Sequence, residues 1–252
     1  MASQRRKLGV IGAVAALLVL VVGFAGWWFL LRDDAPEEAS IDAAGETLDA
    51  AGGEAGAGDE AGDAAPADGV DGAWAVDMAL GSFDDFSGTW AGYRVEEELA
   101  NIGASTAVGR TPDVSGTMTV AGGEVTAVDV EVDLTTLQSD NGQRDGQLAS
   151  RGLETERFPT ATFTLTSPIA LPDDAGTAGS VSAEATGDLT IHGVTREVTL
   201  DLEAEVTDGS AAVVGQAPVK LTDFDIEAPT GFRVLSITDD ATFEFQIFFA
   251  RS

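Results

Sequence analysis

The stretch Gly187–Leu200, GDLTIHGVTREVTL, indicates the class of fold for the rest of the chain. Apolar and polar residues alternate on both sides of a short turn, and a period of two residues is typical of a strand with one buried and one exposed face. The alternation breaks at His192-Gly193, where glycine tolerates the positive φ that a tight hairpin requires. The stretch therefore predicts a β-hairpin near the centre of a sheet.

The same period recurs along most of Trp74–Ser252 and predicts a nearly all-β domain. Successive strands joined by glycine-rich turns indicate an antiparallel barrel or sandwich. The segment Gly109–Asp113 is predicted as a turn, and Gln143–Arg157, which lacks alternation, as a short helical excursion over the sheet. Besides the hairpin, the pattern predicts strands at Trp74–Asp77, Gly88–Leu99, Val114–Val120, Glu124–Leu134, Thr160–Thr166, Ala211–Leu221 and Ala241–Arg251.

The N-terminus has the pattern of a membrane anchor. Residues 1–7 contain three basic side chains, and residues 8–31 contain no charged residue. This run exceeds the ~20 residues needed to cross a bilayer core. A cleaved signal peptide would have a shorter apolar region, roughly 7–15 residues, ending in small side chains. Here the run ends in bulky rings, as at a membrane interface, at Trp27, Trp28 and Phe29.

We therefore predict a retained transmembrane helix at residues 8–31. Basic residues before the helix and acidic residues after it predict a cytoplasmic N-terminus and an extracytoplasmic C-terminal domain. The basic residues are Arg5, Arg6 and Lys7.

Residues 32–73 are predicted to be a disordered acidic linker. From Asp33 to Gly72 the segment consists mostly of Ala, Gly, Asp and Glu, and it contains no Lys, Arg or aromatic residue. Such a composition buries too little apolar surface to offset the entropy of ordering. We therefore expect fast amide exchange there and a fold at residues 74–252 that does not depend on the linker.

The net charge argues against a nucleic-acid partner, and the lack of Cys excludes disulfide bonds. The net charge is -30 and no basic patch occurs in the sequence, so nucleic acid is not a predicted partner. The chain has no Cys, so an exported domain has no disulfide to stabilise it. Residues 74–252 must therefore fold on their hydrophobic core alone.

Five sequence motifs follow one another along residues 74–252. They are GYRVEEEL at Gly92–Leu99, VSGTMTV at Val114–Val120, VDVEVDLTTLQSD at Val128–Asp140, QRDGQLASRGLETERFPTATF at Gln143–Phe163, and the hairpin at Gly187–Leu200. Together they resemble the YceI-like family of polyisoprenoid-binding proteins over nearly all of the domain. The resemblance implies an extended, lipocalin-like antiparallel β-barrel of about eight strands. It also implies an apolar interior that holds a long isoprenoid chain.

Aromatic and aliphatic residues on the predicted strand faces are candidates for contact with such a ligand. Without the resemblance, these side chains would be interpreted as ordinary core. With it, we predict that they line a cavity suited to a prenyl chain. The candidates are Phe83, Phe86, Trp90, Tyr93, Met118, Val130, Phe158, Phe163 and Phe224.

Signals for catalysis and metal binding are weak. The chain has one histidine, His192, in a predicted turn, and zinc sites usually need several His or Cys ligands. Asp129, Glu131 and Asp133 share a strand face; calcium binding or acid–base chemistry is one interpretation, and a solvated face is the commoner one. We predict no catalytic residue, no metal and no cofactor.

Two arginines of the excursion, Arg144 and Arg151, have two interpretations. They are suited to a pyrophosphate head group, or they pair at the surface with Asp145 or Glu154. The leading hypothesis is an anchored extracytoplasmic protein that binds an isoprenoid lipid of the polyprenyl or isoprenoid quinone type. The alternative is a non-enzymatic structural or interaction module whose barrel is filled, and the volume of the interior distinguishes the two.

Overall fold

Twelve strands in the described part of the chain join one sheet in which neighbours are antiparallel. The computed structural model describes residues 35–55, 69–172, 175–176, 179–207, 209–231 and 233–252. The strands are β1 (Gly72–Asp77), β2 (Trp90–Leu99), β3 (Gly103–Thr111), β4 (Val114–Ala121), β5 (Glu124–Asp133), β6 (Gln138–Ser139), β7 (Thr160–Leu165), β8 (Ile169–Ala170), β9 (Val181–Ile191), β10 (Val194–Thr207), β11 (Ser210–Lys220) and β12 (Val234–Arg251).

Strand β12 closes eight of these strands into a barrel. The order of neighbours from β1 is β4, β5, β7, β9, β10, β11 and β12, and β12 pairs with β1 again. One edge of β12 is shared: Phe249 pairs with Val76 of β1, and Phe243 pairs with Tyr93 of β2. Strands β2, β3 and β6 therefore extend the barrel wall beyond the point of closure. The predicted antiparallel barrel of about eight strands is confirmed.

The hairpin predicted at Gly187–Leu200 is also confirmed, as the junction of β9 and β10. Ile191 pairs with Val194 across the turn. His192 and Gly193 both have positive φ, 54° and 75°, as a two-residue turn that matches the twist of the strands requires. The two strands extend further than the sequence pattern indicated, because polar and small residues continue the pairing beyond both ends of the motif.

Strand β3 was not predicted, and its C-terminal end lies where the sequence predicts a turn, at Gly109–Asp113. It carries few residues with high β-propensity, but β2 pairs with it from Ala91↔Thr111 to Leu99↔Gly103. Pairing with a neighbour thus decides its structure more than intrinsic preference does. Gly109 is required there, because a Cβ would lie 2.5 Å from Cε1 of Tyr93.

A short helical excursion covers one end of the barrel, as predicted within Gln143–Arg157. It consists of helix α2 (Gly142–Gln147), continued by a π-helical turn at Leu148–Gly152. Asn141 caps α2, since its side-chain oxygen accepts a hydrogen bond from the Gln143 amide at 3.0 Å. A 3₁₀ turn, Leu221–Phe224, packs at the same end.

The prediction of disorder is wrong for part of the linker, because Ile41–Ala55 forms a helix, here called α1. Ile41, Ala44 and Leu48 are buried on its inner face. They pack on the outside of the barrel against Ala212, Val214 and Phe248. The spacing i, i+3, i+7 gives a helix one apolar stripe. The average composition concealed this stripe, and burial against the sheet offsets the cost of the glycines.

The residues before α1 are also held on the barrel, and we call Pro36–Glu38 the N-terminal strap. Arg94 Nη2 donates to the Pro36 carbonyl at 2.7 Å, and Arg110 Nη2 donates to the Glu37 carbonyl. Arg110 also pairs with Glu244 at 2.8 Å, with both side chains 3% exposed. Removing one partner of such a buried pair typically costs about 3–5 kcal/mol, so the strap rests on a firmly held cluster.

The predicted cytoplasmic segment and transmembrane helix, residues 1–7 and 8–31, lie outside the described residues. Across the ranges that the structure does describe, none of the helices combines the length and the hydropathy needed to cross a membrane. Residues Pro36–Ser252 form one compact unit.

The contact between α1 and the barrel predicts the effect of Leu48→Ala. Leu48 is 1% exposed, and truncation of a buried leucine typically costs about 2–5 kcal/mol. Amides of α1 should then exchange at least about tenfold faster, while the barrel stays protected, because undocking is local. Asp49→Ala, on the exposed face of α1, is the matched control. Unchanged hydrogen exchange of α1 in Leu48→Ala would show that the docked helix does not depend on this contact.

Candidate functional site

The barrel encloses a cavity of about 920 Å³. Its volume is near the upper end of the ~300–1,000 Å³ that ligand pockets usually occupy. On β12 the lining extends from Val234 to Phe249. Because two irregularities in its pairing with β2 shorten the strand, this corresponds to a path of roughly 40 Å. With the ~40° tilt of barrel strands, the axial length is roughly 30 Å. A filled interior, as the alternative interaction module requires, is therefore not what the structure shows.

The cavity exists because many inward-facing positions carry small side chains. The interior of an eight-stranded barrel is just wide enough for ordinary side chains to fill it. Here alanine occupies inward positions on most of the strands, and so the opposing walls do not meet. The alanines that line the cavity within the strands are Ala91, Ala107, Ala161, Ala183, Ala185, Ala204, Ala211, Ala217 and Ala241.

One end of the cavity is closed and apolar. Trp74 is 1% exposed and packs there with Val120, Val125 and Phe249. Its indole Nε1 donates to the Val70 carbonyl at 3.2 Å, which satisfies the one polar atom of the ring. This end is suited to the terminal part of an apolar chain.

The opposite end carries the charged side chains that face into the cavity. Glu97, on the inward face of β2, has a side chain that is 1% exposed and pairs with Arg144 of α2 at 2.6 Å. Arg144 also pairs with the exposed Asp140. Burial by itself lowers the pKa of Arg144, but the carboxylates of Glu97 and Asp140 outweigh burial and raise that pKa. Arg144 is thus held as a cation by two carboxylates that already neutralise it.

A neutral donor, the hydroxyl of Tyr93, lies close to this cluster. Burial raises the pKa of Tyr93 well above its ordinary value, and the charge of Arg144 opposes that shift only in part. Within the described residues the hydroxyl has no hydrogen-bond partner. It therefore stays protonated at neutral pH and is available to donate to a ligand atom in the cavity.

Four of the nine predicted contact residues line the cavity: Tyr93, Met118, Val130 and Phe163. Val130 and Phe163 pair directly across β5 and β7, and Met118 pairs with Trp74 at the closed end. The alternation of residues along the strands thus predicts correctly that these four side chains face the interior. Their contact with a ligand stays a prediction.

Three of the nine lie on the outside of the barrel. Trp90 and Tyr93 are three residues apart on β2 and therefore face opposite sides of the sheet. Phe83 and Phe86 lie in the loop before β2 and form an edge-to-face chain with Trp90. The Arg110 guanidinium stacks 3.7 Å from the Trp90 ring centroid. This aromatic cluster supports the arginines that hold the N-terminal strap.

The last two, Phe158 and Phe224, pack around His192 rather than in the cavity lining. Phe158 contacts the imidazole edge-to-face at 4.6 Å between centroids, and Nδ1 of His192 lies 3.2 Å from the Phe224 carbonyl. Because that carbonyl can only accept, Nδ1 is the protonated nitrogen. The single histidine therefore joins the central hairpin to the 3₁₀ turn in a structural role.

Sequence reasoning missed the polar group Glu97 and the alanine-rich walls. The alternation of faces along β2 could have identified Glu97, because it occupies an inward position between Val95 and Leu99. Arg144 lines the cavity and pairs with Glu97 and Asp140, instead of the predicted Asp145. The acidic face at Asp129 and Glu131 is exposed, and among the described residues no cluster suited to a metal ion occurs.

Comparisons with known proteins agree with this architecture. Residues 74–249 match the family model described as YceI-like domain. The chain is 30% identical over 168 residues to Protein YceI of Escherichia coli, covering 59% of this chain and 83% of the relative. It is 29% identical over 159 residues to a UPF0312 protein of Pseudomonas syringae pv. tomato, covering 60% and 79%.

Two solved structures share the fold. A polyisoprenoid binding domain from Saccharophagus degradans superposes with a TM-score of 0.52 at 18% identity, covering 71% of this chain and 98% of that chain. Burkholderia cenocepacia BcnA superposes with a TM-score of 0.51 at 19% identity, covering 69% and 98%. At these identities the likeness shows the fold alone.

The buried phenol predicts an alkaline transition that Tyr93→Phe removes. The folded-state pKa lies above the unfolded value of about 10, so this group's stabilising contribution is present below pH ~10 and is lost as the pH rises toward the folded pKa. Tyr93 is the one tyrosine of the chain, and tyrosinate absorbance therefore reports it alone. Native protein should titrate at higher pH than urea-unfolded protein, and Tyr93→Phe should lose less stability above pH ~10. Native titration near pH 10 would place the ring in solvent.

Proposed function

This chain belongs to the YceI-like family, and from that membership and the cavity we propose that it holds an isoprenoid lipid inside its barrel. The observation that carries the proposal is a long apolar cavity whose inward-facing charged side chains, Glu97 and Arg144, lie at one end. A lipid with one apolar tail and one polar head matches this arrangement. The fold shared with a polyisoprenoid binding domain supports the same ligand class.

Burial of the tail supplies the binding free energy. Each 100 Å² of apolar ligand surface removed from water contributes about 2.5 kcal/mol. A rigid, preformed wall adds little ordering cost on binding, because the strands that carry it are fixed by the closed sheet. The ligand we propose is therefore a long prenyl chain, with its terminal end beside Trp74.

The charges at the other end favour a neutral head group. Glu97 is buried and already pairs with Arg144, which also pairs with Asp140, so a pyrophosphate there would meet two carboxylates and a guanidinium that is already paired. Arg233, the other cation of this end, is exposed at the opening. A quinone or alcohol head needs only a hydrogen-bond donor, and the Tyr93 hydroxyl supplies one. Of the two lipid types, we therefore propose the isoprenoid quinone type over the polyprenyl pyrophosphate.

We further propose that residues 8–31 anchor the protein and that the barrel lies outside the cytoplasm. The basic residues before the apolar run and the acidic residues after it support this orientation. Because the chain has no Cys, Met78→Cys gives a unique exposed thiol. A membrane-impermeant thiol reagent should label it in intact cells; labelling that requires lysis would contradict the orientation.

The binding proposal is tested with Met118→Trp in the delipidated full chain. Met118 faces the cavity from β4, and Thr117 beside it is exposed on the outer face. The larger ring should occupy tail space and weaken binding of an isoprenoid quinone about tenfold, equivalent to ~1.4 kcal/mol. The matched control Thr117→Trp should bind like the wild type.

Equal quinone binding by both tryptophan variants, with both folded by circular dichroism, would show that the tail does not occupy this cavity.

The head-group preference is tested with a polyprenyl pyrophosphate of the same chain length, which should bind wild type more weakly than the quinone. Tighter binding of the pyrophosphate would reverse the assignment of the head group.

A further inference from the structure

Two of the three exposed large apolar side chains in the described residues lie at the charged end of the cavity. They are Ile102, 66% exposed, and Leu235, 60% exposed; the third, Met78, lies elsewhere. Ile102 also lines the cavity. An exposed side chain that is continuous with an apolar interior marks the place where that interior opens to the outside.

Strand pairing brings these two residues to one rim. The Ala100 amide donates to the Arg233 carbonyl at 2.8 Å, and Leu99 pairs with Val234. The β2–β3 turn and the start of β12 therefore lie side by side at the opening. We define the mouth rim as Ile102, Arg233 and Leu235.

Arg233 gives the rim a cation beside its apolar residues. Its side chain is exposed, lines the cavity opening and forms no ion pair within the described ranges. An arginine flanked by exposed aliphatic side chains matches a bilayer interface, where the guanidinium binds lipid phosphate and the apolar residues enter the acyl region.

We propose that the mouth rim docks on the surface of a lipid bilayer, so that an isoprenoid passes between membrane and cavity without crossing water. The proposal rests on the proposed function, because it concerns the route by which that ligand enters. It goes further by assigning a surface, a partner and three residues to the exchange step.

The chain's lack of Cys allows a direct test of docking. Full-length Ile102→Cys and Leu235→Cys, labelled with an environment-sensitive fluorophore, are reconstituted in phosphatidylcholine–phosphatidylglycerol vesicles that contain a lipid-attached quencher. Met78→Cys is the matched control. Labels at 102 and 235 should be quenched at least twofold more than the label at 78; equal quenching at all three positions would overturn the proposal.

A second pair of variants tests the consequence of docking. Ile102→Ser combined with Leu235→Ser should slow quinone transfer between vesicles about tenfold and leave the amount bound at equilibrium unchanged, whereas Met78→Ser should change neither. Unchanged transfer in the double variant would contradict docking at the mouth rim.

These outcomes separate the rim from the cavity. If the chain binds isoprenoid but the rim labels are not quenched, docking is wrong and the proposed function stands. If the rim labels are quenched but no isoprenoid binds, docking is supported and the proposed ligand is wrong.

Discussion

The shared edge of β12 is the constraint on which the structure depends. Its last residues, 248–251, pair with β1 and close the sheet, while its first part pairs with β2 on the same edge. Closure at eight strands fixes the diameter of the barrel and leaves no free edge at the seam. It also requires every second residue of each strand to face inward, whatever the size of that residue.

Closure and residue size together create the functional site. Because the wall cannot collapse, alanines such as Ala185 and Ala217 leave volume that larger side chains would have occupied. The two ends of the cavity differ in polarity. Trp74 lies at the closed, apolar end, and Glu97 and Arg144 lie near the opening. On the outer surface of the same strands, Arg94 and Arg110 hold the N-terminal strap through the carbonyls of Pro36 and Glu37.

Sequence reasoning succeeded where a local pattern decides the structure. The hairpin turn at His192 and the inward faces that carry Met118 and Phe163 follow from periodicity alone. It failed where distant contacts decide. Trp90 is among the predicted contact residues, although the alternation along β2 places it on the face opposite Tyr93. Helix α1 was missed because its stripe of Ile41, Ala44 and Leu48 is stable only against the barrel, and the volume of the cavity depends on how all the walls meet.

The central claim is that the barrel of this chain holds an isoprenoid lipid. The most direct measurement is mass spectrometry of lipid extracted from the full-length protein, purified from cells that make isoprenoid quinones and compared with a membrane protein of unrelated fold from the same preparation. We predict a nearly equimolar amount of one isoprenoid lipid, enriched over the comparison protein, with a neutral head group. Extracts that contain only the ordinary membrane phospholipids, in the proportions found in the comparison protein, would contradict the account.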